Sequence, residues 1–81
     1  MRAVGEEIEV QVRGGQPQRL RWHGRAYAVR AVLDSWRWAG RWWLHERPRD
    51  YWLLDARGLT AEVYRVQGPG GPSWVLARVA D

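Results

Sequence analysis

Glu6-Glu7-Ile8-Glu9-Val10-Gln11-Val12-Arg13 sets the reading of the whole chain: Ile8, Val10 and Val12 alternate with Glu7, Glu9, Gln11 and Arg13. Side chains of an extended chain point alternately to opposite faces, so a period of two with apolar residues on one side predicts a half-buried β-strand. Gly14, Gly15 and Pro17 interrupt it with turn chemistry. Beyond them, Arg19–Trp22 and Arg25–Leu33 flank His23-Gly24, a two-residue spacing that predicts a tight hairpin.

In the second arm of that hairpin Tyr27, Val29, Ala31 and Leu33 share a face, yet Val29, Val32, Leu33 and Trp36 also fall at i, i+3, i+4 and i+7. Strand is expected through Leu33, with a turn or short helical piece across Asp34–Gly40. Arg41–Glu46 reads as another strand, Trp42 and Leu44 facing one way and Trp43 and His45 the other. Arg47 and Pro48 turn the chain into Tyr51–Ala56, whose rings and leucines on both faces suggest a central strand. Arg57-Gly58 leads to a strand over Leu59–Val66, Gly68–Pro72 forms a loop, and Ser73–Ala80 alternates Trp74, Leu76, Arg78 and Ala80 against Val75, Ala77 and Val79.

Six or seven short strands with frequent turn signals predict an all-β fold, a small antiparallel barrel or strongly curled sheet of SH3-like or OB-like kind. With 81 residues, the chain has room for one hydrophobic core and is expected to be a single domain over residues 1–81. There is no cysteine, so neither a disulfide nor a thiolate metal site can staple it. Seven tryptophans and three tyrosines take over that role, because each large ring buries roughly 150–250 Å².

The lack of cysteine fits a reducing compartment, and Met1–Gly5 runs directly into Glu6 and Glu7 without the apolar stretch of a signal peptide. No segment approaches the roughly 18 apolar residues of a membrane span. A cytoplasmic location without membrane contact is expected.

All 13 basic residues are arginine. Eight of them (19, 21, 25, 30, 37, 41, 47 and 49) fall between Arg19 and Arg49 against Asp34 and Glu46, a local charge of +6 out of +4 overall. Guanidinium groups stack on indole and grip phosphate or carboxylate in a fork, so the field favours polyanions, or else forms a solvated face.

The inventory for catalysis is thin. Ser35, Thr60 and Ser73 are the hydroxyl candidates, and His23 and His45 have no ligand spacing and no cysteine to join them. Glu7 and Glu9 lie on the face opposite Glu6, and Gly68–Gly71 lacks the Lys-Ser/Thr successor of a phosphate loop. No enzymatic activity, metal or cofactor is expected.

Arginines interleaved with aromatics stand out: Trp36, Arg37, Trp38, Arg41 and Trp42, with Arg47 and Arg49 following. Rings that stack on bases beside cations that neutralise phosphates hold single-stranded nucleic acid, which makes single-stranded DNA or RNA the first candidate partner. The alternatives are that the indoles form core under guanidinium lids, or that Arg and Trp anchor a protein interface, on another protein or on a second copy. Asp50 near Arg41, Arg47 and Arg49 could also organise an ion-pair lattice.

Trp22, Gly24, Tyr27, Val29, Val32, Leu33, Trp36, Gly40-Arg41-Trp42-Trp43, Arg49-Asp50-Tyr51-Trp52, Tyr64, Arg65 and Trp74 together resemble an uncharacterised family of small bacterial domains, over about residues 19–80. The Gly-Arg-Trp-Trp and Arg-Asp-Tyr-Trp motifs are similar to the C-terminal segment of mutagenesis-type Y-family DNA polymerase homologues. That resemblance implies a link to DNA damage tolerance and a repair-protein partner.

Overall fold

A computed structural model describes residues 1–80 of the chain. Seven strands, β1 (Arg2–Arg13), β2 (Gln16–Trp22), β3 (Arg25–Ala28), β4 (Ala31–Trp38), β5 (Arg49–Ala56), β6 (Leu59–Gly68) and β7 (Gly71–Ala80), form one antiparallel sheet in the order β3-β2-β1-β7-β6-β5-β4. A single 3-10 turn, Trp42–Leu44, breaks the all-β pattern. Among the described residues no helix is long and apolar enough to cross a membrane.

Local sequence explains the hairpins. Gly14-Gly15, His23-Gly24 and Arg57-Gly58 all have positive φ at both loop residues, the backbone whose twist matches that of the flanking strands. The run Gly68–Pro72, expected as a loop, is drawn into the strands instead: Gly68 pairs with Gly71 and Gln67 with Pro72, so only two residues turn.

The curl follows from connectivity. β3 and β4 are consecutive in the chain but lie at opposite edges of the sheet, with only Val29 and Arg30 between them. A flat seven-stranded sheet would hold those edges about 28 Å apart at the usual interstrand spacing, far more than two residues can span. The sheet therefore wraps on itself. At the corner Val29 donates its N–H to Gln18 O at 2.9 Å and Arg30 donates to Asp55 O at 2.7 Å, tying β2 and β5 to the same short segment. β1 takes part in both walls, pairing with β7 through Arg2–Ile8 and with β2 through Glu9–Arg13. The result is a strongly curled half-barrel with two free edges, not a closed barrel.

That corner also corrects the expected continuous strand over Arg25–Leu33, which is divided between β3 and β4. The turn or helical piece expected over Asp34–Gly40 is absent: β4 runs straight through to Trp38 in register with β5. The helical spacing of Val29, Val32, Leu33 and Trp36 misleads because every residue of β4 is exposed, so no burial period exists there to imprint on the sequence. Conversely, Arg41–Glu46, expected as a strand, holds the 3-10 turn, since the β4–β5 hairpin must reverse between Trp38 and Arg49.

The core is one cluster: Trp52, Leu54 and Ala56 of β5, Leu59, Ala61 and Val63 of β6, and Trp74, Leu76 and Val79 of β7, closed by Ile8 and Leu20. β5 lies inside the sheet, though beside its edge, and β7 is the middle strand. Along β7 the inward set shifts from Trp74 and Leu76 to Val79, where Ala80 had been expected. Glu62 pairs with Arg78 but Val63 with Leu76, so Ala77 is an extra residue that reverses the alternation. In β1 only Ile8 is fully covered, while Val12 at the far end emerges into solvent.

Candidate functional site

The interleaved Arg and Trp residues come from three local structures: edge strand β4, the β4–β5 connection and the start of β5. Strand alternation separates them by face. Trp36 stands opposite Tyr51, and Tyr51 opposite Tyr64, across three neighbouring strands. Their rings make a file on the outer face: Trp36 and Tyr51 stack at 5.2 Å and 6° between planes, and Tyr51 and Tyr64 follow at 5.2 Å and 41°. Arg49 threads the same face, its guanidinium 5.2 Å from the Trp38 ring and 4.5 Å from Tyr64, with Nη1 donating to Tyr51 Oη at 3.3 Å.

Arg37 belongs to the other face. It stands in register with Asp50, and Asp50 with Arg65. Arg37 Nη1 donates to Asp50 Oδ1 at 2.7 Å and Arg65 Nη2 to Oδ2 at 3.1 Å, so one carboxylate holds two guanidiniums. Arg65 in turn covers the indoles of Trp52 and Trp74 at 5.4 and 5.7 Å, a cation lid on the open end of the core. Partial burial opposes ionisation of Asp50, but the hydrogen bonds from Arg65 and Arg37, with their charges, outweigh it and hold the carboxyl below its ordinary value. The expected ion-pair lattice thus exists around Asp50, built by Arg37 and Arg65; Arg41, Arg47 and Arg49 are not its members.

Arg41 and Glu46 pair across the neck of the connection, where Leu44 and Glu46 also donate their N–H groups to Arg41 O. Arg47 reaches Gln67 O at 2.8 Å and fastens the loop to the end of β6. Gly40, at φ +79°, completes the neck: a Cβ there would sit 3.0 Å from Glu46 O, 3.2 Å from Arg47 O and 3.3 Å from the Trp38 ring. On this fixed neck Trp42 and Trp43 meet edge to face at 5.9 Å and 87° and project into solvent, 78% and 60% exposed.

Of the seven candidate residues, the structure gathers Trp36, Trp38 and Arg49 on one face and places Trp42 on the adjoining turn. It takes Arg37 to the opposite face, and it commits Arg41 and Arg47 to holding the loop. Of the seven tryptophans, Trp52 and Trp74 are core, and Trp36, Trp38, Trp42 and Trp43 are exposed. Leu33 and Leu44 were missed as surface residues. Leu33 is the extra residue of a bulge, since Val32 pairs with Leu54 and Asp34 with Leu53, and nothing in its sequence context marks it. The histidines lie elsewhere in role: His23 stacks on Trp22 and meets Glu6 at 3.3 Å, and His45 ends the 3-10 turn in left-handed conformation.

No curated protein and no solved structure matches the chain. A family described as "Domain of unknown function (DUF6504)" matches residues 1–81, and the chain belongs to that family.

Proposed function

We propose that the protein is a non-enzymatic interaction module that docks on a protein partner through the β4 edge and the Trp42–Leu44 turn. One observation carries this: of the nine large apolar side chains exposed among the described residues, seven, Val32, Leu33, Trp36, Trp38, Trp42, Trp43 and Leu44, fall in this one stretch. Clustered apolar exposure marks an interaction site where scattered exposure does not. Trp is among the residues most enriched as an interface anchor, and the neck of Gly40, Arg41 and Glu46 presents Trp42 and Trp43 already ordered, which lowers the entropy cost of docking. A partner concerned with DNA damage tolerance follows from the sequence resemblance. Affinity capture from nuclease-treated lysate tests the reading. Partners retained by the wild type and lost by Trp42→Ala and Trp38→Ala support it; capture unaffected by either variant overturns it.

A second reading, single-stranded DNA or RNA, is supported by the charge. Arg19, Arg21, Arg25 and Arg30 make no ion pair among the described residues, and exposed rings stack on bases for about 1–3 kcal/mol each. Tryptophan emission titrated with oligonucleotides at low and moderate salt checks it. Quenching that weakens as salt rises is expected on this reading, and unchanged emission at low salt removes it.

A further inference from the structure

We infer that the β4 edge is a self-pairing surface, and that its occupant is β4 of a second copy, antiparallel about a two-fold axis through Trp36. The inference rests on the reading of the β4 edge given above and names its partner.

Three features point to this occupant. The first is backbone geometry. β4 ends the sheet and has no strand on its outer side, so half of its N–H and C=O groups form an open template. Its pairing with β5 is irregular only between Val32 and Asp34. The regular stretch is therefore Asp34–Trp38, five residues with Trp36 at the midpoint. Antiparallel pairing of that stretch with itself sets Trp36 against Trp36, Ser35 against Arg37 and Asp34 against Trp38. Each opposed pair has matching parity, so all outer-face side chains stay on one continuous face.

The second feature is the aromatic file. Tyr64, Tyr51 and Trp36 stack in order towards the edge and stop at Trp36, with no ring on its other side among the described residues. The two-fold axis brings the identical file of the second copy against it, giving six rings in series across both sheets.

The third is charge. Among the described residues the Asp34 carboxylate accepts a hydrogen bond only from the Ser35 N–H, at 2.8 Å, and it makes no ion pair. In the paired register it stands beside Trp38 of the second copy, the ring on which Arg49 of that copy lies. Two Asp34–Arg49 contacts form by symmetry. Arg37, the edge cation that would repel its mate, is neutralised by its own Asp50. The same register carries Val32 and Leu33 of the second copy to the level of Gly40 and Ala39, beside the Trp42–Leu44 turn, so all seven exposed apolar residues acquire neighbours.

Sedimentation velocity over a wide concentration range tests the pairing, with Asp34→Arg and Trp36→Ala beside the wild type and circular dichroism to confirm that each variant keeps its sheet. Asp34 is exposed, so its replacement leaves the core untouched. A concentration-dependent dimer is expected, with each variant raising the dissociation constant about tenfold or more, a loss worth one close contact. Adding Arg49→Asp to Asp34→Arg should recover part of that affinity, because the charges are then exchanged across the axis. A monomer up to about 1 mM, where even weak specific association registers, overturns the inference, as does a dimer indifferent to both variants. Neither result touches capture of a different protein by Trp42 and Trp38, so the docking reading can survive the failure of self-pairing.

Discussion

Trp36 on the edge strand and Tyr51 on its neighbour stack nearly parallel, 5.2 Å apart. They are direct cross-strand partners, and their contact is the main apolar hold on a strand that buries none of its residues. β4 stays on the sheet through its backbone ladder and this outer-face stack, not through the core.

Removing the stack should therefore loosen β4 while sparing the core. Tyr51→Leu is expected to cost about 1 kcal/mol, the value of an aromatic pair beyond its area, in urea unfolding. Amide exchange should quicken at Asp34–Trp38 and stay slow in β6 and β7. Equal acceleration in every strand would contradict the local hold.

Asp50 links stability to acid. Its folded-state pKa lies below the unfolded value, so its contribution is fully present above the ordinary carboxylate range and is lost as pH falls through the depressed value. Asp50→Asn should destabilise the protein by about 1–2 kcal/mol at neutral pH, the cost of leaving two partly covered guanidiniums without their counter-charge. The difference from wild type should shrink on acidification below pH 4. Parallel stability curves down to pH 2 would show that the clasp carries no linkage.

Gly40→Ala should cost more than about 1 kcal/mol, because alanine is strained at positive φ and its Cβ would press on backbone oxygens of Glu46 and Arg47 that cannot retreat. The expected result is a lower melting temperature together with stronger iodide quenching at Trp38, whose ring lines the same neck. An unchanged melting temperature would mean that the neck yields freely.

Two leucines separate inside from outside. Leu54, fully buried, should lose about 2–5 kcal/mol as alanine, whereas Leu33, at the bulge in solvent, should change by less than about 0.5 kcal/mol. Thermal melts of both variants check the assignment, and a costly Leu33→Ala would place that side chain under cover.

Much of the architecture is written locally. Alternation in Glu6–Arg13 and in Leu59–Val66, and turn chemistry at His23-Gly24 and Arg57-Gly58, depend on neighbours within a few residues, which is why the strands and hairpins were legible. Errors fall where local patterns are silent or compete. β4, with no buried face, carries no inward period; Ala77 and Leu33 shift register only because a partner strand fixes the count on the other side; and Trp42–Leu44 alternates like a strand while closing a turn.

The candidate site divides the same way. Composition alone showed a concentration of arginine and tryptophan between Arg19 and Arg49, since charge and ring content need no coordinates. Which guanidinium is already taken, Arg37 by Asp50 or Arg41 by Glu46, and which indole is core or surface, depend on residues brought together from distant parts of the chain. Side-chain period and turn preference are properties of a short peptide, and the sequence holds them by itself; face, partner and exposure exist only after the sheet has curled, and that tertiary step decided them.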